Sequence, residues 1–234
     1  MEKKKILLIG DSVRAGYDRY VKESMADVAE VYYPGENCRF AEYILRTLHM
    51  WTDELGLFEA DAVHWNVGLW DTLRIYGDEP LTSPAAYAEN IERITKRLQF
   101  LFPRAKLIFA TSTPVLEYGY IDGFEMRYNR DIERYNAIAC EVVSRYGTTI
   151  NDLYGLLKDR QEEYHSDQSH YYTAAGTELI GGRVNAVLCE ALNIDPALLT
   201  PPDPNNFVRK DVPWDTEAYE KHGIYWGIRR SPAK

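Results

Sequence analysis

Long apolar runs, a surplus of basic charge and paired cysteines are all missing from this chain of 234 residues, and each shortage removes a class of function. The apolar stretch near the start, Ile6 to Ile9, runs straight into Gly10 and Asp11. It is shorter than the roughly 7 to 15 residues of a secretory h-region, and nothing in the chain approaches the ~18 apolar residues of a membrane span. The expectation is a soluble cytoplasmic protein with no membrane partner. The formal charge is −9, and the only basic run is Lys3-Lys4-Lys5, so the clustered positive charge that binds nucleic acid is absent. Cys38, Cys140 and Cys189 are odd in number and widely spaced, with no CxxC pair and no His at zinc-site spacing. They read as reduced thiols.

What is present is an alternation. Lys4 to Ile9 is an apolar run closed by Gly10-Asp11-Ser12, the pattern of a buried parallel strand. Asp27 to Tyr33, Asp61 to Val67, Lys106 to Thr111 and Thr148 to Asp152 supply four more strands. Helical spacing separates them, from Ser12 to about Met25, Arg39 to Thr52, Ser83 onward and the stretch ending near Gly147; a last helix spans about Thr173 to Leu192. Ser83-Pro84 is a good helix start, with Ser as cap and Pro in the first turn. Strands alternating with helices predict right-handed crossovers and a three-layer α/β/α sandwich around a parallel sheet of about five strands. Ligands then belong at the carboxyl ends of the strands.

From Asp195 onward the character changes. Pro196, Pro201, Pro202, Pro204 and Pro213 break regular structure, while Phe207, Trp214, Tyr219, Tyr225 and Trp226 are too aromatic for a solvated tail. The division expected is a domain over 1–198 and an extended strap over 199–234 that lies on this domain or on a second copy in a homo-oligomer.

Ser12 sits between the first strand and the first helix, where its own N–H faces a site that favours developing negative charge. A serine nucleophile needs a base within reach and a third group to orient that base. Of the five histidines, His64 falls in a strand, His49 in a helix and His222 in the tail. His165 and His170 remain, in the loop before the last helix. His170 has Asp167 three residues earlier; His165, with Glu162 or Glu163 as partner, is the second candidate. Asp61 and His64 share the D-x-x-H spacing, but within a strand.

These residues resemble the SGNH/GDSL hydrolase family. Ile9-Gly10-Asp11-Ser12 is similar to its first block, Gly35 to its second-block glycine, and Asp167-Gln168-Ser169-His170 with Gly176 to its last block; Thr113-Pro114, Tyr135-Asn136 and Asp152-Leu153 extend the match. The resemblance implies a serine esterase with a flavodoxin-like sheet in the order 2-1-3-4-5 and no metal or organic cofactor, with Ser12 as nucleophile, His170 as base and then acid, and Asp167 orienting the imidazole. The implied oxyanion hole comprises the Ser12 and Gly35 N–H groups and an Asn side chain. The third block departs from the family pattern: it reads Gly68-Leu69-Trp70-Asp71, with Trp70 where the family has Asn. Asn66, two residues before Gly68, is the candidate for the displaced donor, since a buried carboxamide needs a polar partner.

The substrate expected is a small-molecule ester, with a lean toward short O-acyl groups such as O-acetyl on a carbohydrate. Acyl transfer or thioester hydrolysis with the same triad, and a catalytically silent carbohydrate-binding module, are the alternatives. Trp70, Tyr17, Tyr118, Tyr120, Tyr171 and Tyr172 are candidates for an aromatic wall around the substrate, with a role in the core as the alternative for several of them. Arg14 is a candidate for holding an anionic substrate group, with an ion pair as the alternative.

Overall fold

Alternate residues of the strands face opposite sides, and both sides are apolar, so the sheet must be covered twice. The computed structural model describes residues 2–118 and 125–208. Strands β1 (Lys4–Ile9), β2 (Ala29–Tyr32), β3 (Ala62–Trp65), β4 (Lys106–Ala110) and β5 (Thr149–Asn151) form one parallel sheet in the order β2-β1-β3-β4-β5. Strand order and number agree with the sequence expectation, while each strand after β1 is shorter at its ends.

Leu7, Ile9, Val63, Trp65 and Phe109 face one core, closed by helices α2 (Ala41–Glu54), α3 (Pro84–Leu101) and α4 (Asn129–Ser144). Ile6, Leu8, Ala62, Ile108 and Ala110 face the other, closed by α1 (Ser12–Ser24) and by the last long helix. Two short helices, α5 (Leu153–Leu157) and α6 (Gln161–Tyr164), precede that last helix, α7 (Ala174–Leu192). No helix among the described residues is long and apolar enough to cross a membrane.

The helix starts set the functional edge. Asp11, rather than Ser12, caps α1: its side chain accepts from the Val13 N–H at 2.9 Å, which leaves Ser12 as the first helical residue. Thr173 caps α7 by accepting from Gly176 N–H. Both helices therefore begin with a side-chain oxygen already satisfying an orphan donor. A two-stranded antiparallel ribbon, Arg74–Ile75 against Glu125–Met126, was not expected from the sequence. Arg74 fastens it to α4 through Asp131, at 2.8 Å.

Of the strap, the part up to Val208 is described. Thr200 N–H donates to Ser24 O, and Phe207 is buried edge-on against Tyr20 beneath the Arg19 guanidinium, so this part folds back on α1. Trp214, Tyr219, Tyr225 and Trp226 lie outside the described residues.

Candidate active site

Two segments 158 residues apart meet at the carboxyl edge of β1. Ser12 Oγ lies 2.8 Å from His170 Nε2, and His170 Nδ1 lies 2.8 Å from Asp167 Oδ2 and 3.0 Å from Oδ1. The loop holds this geometry with bonds of its own. Asp167 Oδ1 accepts from the Ser169 and His170 N–H groups, and Ser166 closes the turn by donating its N–H and hydroxyl to His170 O. Desolvation works against the Asp167 charge, but the bond to His170 and the two N–H donors outweigh it and hold the carboxyl down at about 2. With Asp167 ionised, Nδ1 carries the imidazole proton and Nε2 is left to accept from Ser12. His165 instead packs its ring on Tyr171, at 4.0 Å.

Neighbouring loops grip this one. Leu116 N–H donates to Gln168 O, and the Tyr118 hydroxyl donates to Glu162. Tyr120 lies outside the described residues.

The edge next to Ser12 is polar and buried. Asp11 is fully buried, and burial pushes its carboxyl above the ordinary range against the opposing pull of the Val13 N–H, Asn66, His170 and Arg127. Asn66 leaves the end of β3, its N–H donating to Ile9 O, and its carboxamide lies over Gly10. A Cβ at position 10 would collide with Asn66 Oδ1, so the glycine is required by close approach. Asn66 is buried and its Oδ1 has no hydrogen-bond partner.

The rest of the third block has structural work. Asp71 is fully buried and accepts from the Ala41 N–H at the start of α2; desolvation pushes its carboxyl up to about 7. Trp70 is partly exposed at the surface of this edge.

Two expectations are corrected. Arg14 does not face a substrate: it is 2 % exposed, paired with Asp18 at 2.6 Å, and donates to the carbonyls of Gly10, Pro34 and Glu36. It pins the loop after β2 to α1, which is where a buried guanidinium finds enough acceptors. Tyr171 is a core residue whose hydroxyl donates to Pro114 O, and Tyr17 is likewise buried. Gly35 is exposed and borders a recess formed with Arg14, Asp18, Arg19 and Tyr33. The loop reaches the Gly10 corner three residues later, where Cys38 N–H donates to Gly10 O.

The residues that sequence reasoning missed lie in these loops. Asn37, next to Cys38, is buried with its Nδ2 unpaired while its Oδ1 accepts from Arg39 N–H. Arg127 is buried, donates to Leu69 O and pairs with Glu125. Its charge on Asp11 identifies it as part of the same edge. Neither residue sits in a motif, and only the fold brings them here.

The sequence matches no protein-family model, and no curated protein matches it. The fold does have solved counterparts. A lipase/acylhydrolase from Enterococcus faecalis superposes with a TM-score of 0.63 at 21% identity, over 85% of this chain and 98% of that one. An acetyl xylan esterase gives 0.62 at 16%, over 79% and 99%. A GDSL-like lipase from Bacteroides thetaiotaomicron gives 0.62 at 14%, over 81% and 89%. The chain thus carries the fold of the GDSL-like lipases and acylhydrolases.

Proposed function

We propose that the protein is a serine esterase that cleaves carboxylic esters through an acyl-enzyme on Ser12. The observation that carries this is the unbroken line from Ser12 Oγ through His170 to Asp167, each link 2.8 Å long, at the edge where this sheet type binds its ligands.

Ser12 Oγ attacks the ester carbonyl carbon as its proton passes to His170 Nε2, and Asp167 stabilises the imidazolium. The carbonyl oxygen becomes an oxyanion beside the Ser12 N–H, one of the donors that helix geometry leaves free at the start of α1. The Asn66 carboxamide, buried at the end of β3 and bonded to Asp11, is the second donor in this reading. The Gly35 N–H is a further donor in this reading, and the unpaired, buried Nδ2 of Asn37 is a second candidate from the same loop. Collapse of the tetrahedral adduct breaks the C–O bond, and the imidazolium gives its proton to the departing alkoxide. Water then repeats the sequence on the acyl-enzyme, releasing the acid and restoring Ser12.

For the substrate we favour a short acyl ester of a carbohydrate. The partly exposed Trp70 at the edge of the site offers a face for a sugar ring, and one of the fold's counterparts is an acetyl xylan esterase.

The test is mass spectrometry after treatment with a fluorophosphonate. One adduct per chain, located on Ser12 and absent from Ser12→Ala, is the expected outcome. A folded protein that takes no adduct would sink the reading.

A further inference from the structure

We propose that Tyr172 is a positioning residue that locks the nucleophile and its base into one register; the inference rests on the esterase reading above. Its ring stacks on the His170 imidazole, with centroids 4.8 Å apart and planes 22° from parallel. Its hydroxyl donates to the backbone carbonyl of Ser12 at 2.7 Å. One side chain therefore touches both the ring that must accept the proton and the residue that must lose it.

The ring itself has little freedom. Tyr172 is 2 % exposed, and its N–H donates to Ser166 Oγ. A Cβ on Gly16 would stand 2.8 Å from the Tyr172 Cδ1, so α1 has been left bare at the position where the ring presses against it. The bonds within the Asp167 loop fix the tilt of the imidazole, and Tyr172 ties that loop to the start of α1. Tyr172 sets the distance between the two, because its ring and hydroxyl span the gap between His170 and Ser12. A reactive pair displaced by about 1 Å can lose on the order of 10²-fold in rate.

The experiment compares Tyr172→Phe and Tyr172→Leu with the parent protein, and repeats Tyr172→Leu in a His170→Ala background. Ester turnover and the rate of Ser12 labelling by the fluorophosphonate are measured alongside melting temperature. Tyr172→Phe keeps the stack and loses only the bond to Ser12 O, and is expected to retain kcat within about 10-fold. Tyr172→Leu is expected to lower kcat on the order of 10²-fold with KM nearly unchanged. In the His170→Ala background the same change should cost almost nothing further, since the partner it positions is gone. An undiminished loss in that background, or a folded Tyr172→Leu protein with parental kcat, would overturn the proposal. If His170→Ala alone leaves labelling intact, it is the triad that fails, an outcome distinct from a failure of Tyr172. Should Tyr172→Leu not fold, Gly16→Ala presses on the same ring from behind, and parental turnover in that variant would equally refute the clamp.

Discussion

Asp61 to His64 and Asp167 to His170 have the same D-x-x-H spacing and opposite fates. In β3 and the residue before it the backbone is extended, so side chains three apart point to opposite faces and are separated by about 10 Å. Asp61 turns instead to the Lys4 ammonium and the Lys5 N–H at the start of β1, while His64 is buried between α1 and the sheet, with Nε2 on the Asn151 carboxamide. In the loop the chain doubles back, and the second Asp reaches both the backbone and the ring of its His. Spacing alone does not make a catalytic dyad; a backbone that returns on itself does.

The strongest way to break this comparison is to remove the loop pair. His170→Ala and Ser12→Ala should each lower kcat/KM by on the order of 10³-fold or more, and Asp167→Asn by a similar order, in a steady-state ester assay. Asp61→Asn should leave turnover unchanged. A comparable loss from the strand variant would show that the two motifs are not separable.

Next in size is Asn66→Ala, for which turnover is expected to fall on the order of 10²- to 10³-fold with little change in KM. Trp70→Phe should weaken KM more than kcat. The reverse pattern would move the oxyanion donor to Trp70.

The strand histidine is sharpened by acid rather than by activity. Burial pushes the His64 imidazole down to about 3, so between there and 6.5 the unfolded chain binds a proton that the fold refuses. Stability from this group falls as pH drops, by up to about 1.4 kcal/mol per pH unit. Asp71 acts in the other direction: its carboxyl is pushed up to about 7, so between 3.8 and 7 the fold holds the extra proton and stability falls as pH rises. Chemical denaturation of Asp71→Asn between pH 4 and 6.5 should therefore show a steeper loss toward acid than the parent, and His64→Gln a shallower one. Identical slopes in all three proteins would refute the assignment.

The smallest expected effect is on stability in Asp61→Asn. Its ion pair with Lys4 is well exposed, and such pairs contribute about 0 to 1 kcal/mol. A midpoint shift near the detection limit in urea is the expected result.

The fold was legible because its signals are local. The apolar run of β1, the Ser83-Pro84 start and the alternation of strand and helix each state their element within a few residues. The alignment of Ser12, His170 and Asp167 was legible for a related reason: Ser12 follows a strand, and Asp167 and His170 share one loop. Arg14 stayed open between a ligand group and an ion pair because its acceptors, on Pro34 and Glu36, lie in a distant segment. The ribbon, Arg127 and Asn37 depend on contacts between distant segments, and no periodicity in the chain announces them.

The bonds that set Asp167 against the His170 backbone and ring begin and end between Ser166 and Tyr172. That makes residues 166–172 a cassette rather than a scatter of positions. Grafted ahead of a capped helix on another parallel-sheet scaffold, with a bare glycine to seat the tyrosine, the segment should bring an oriented imidazole with it; a crystal structure of the graft showing the Asp and His side chains apart would refute that.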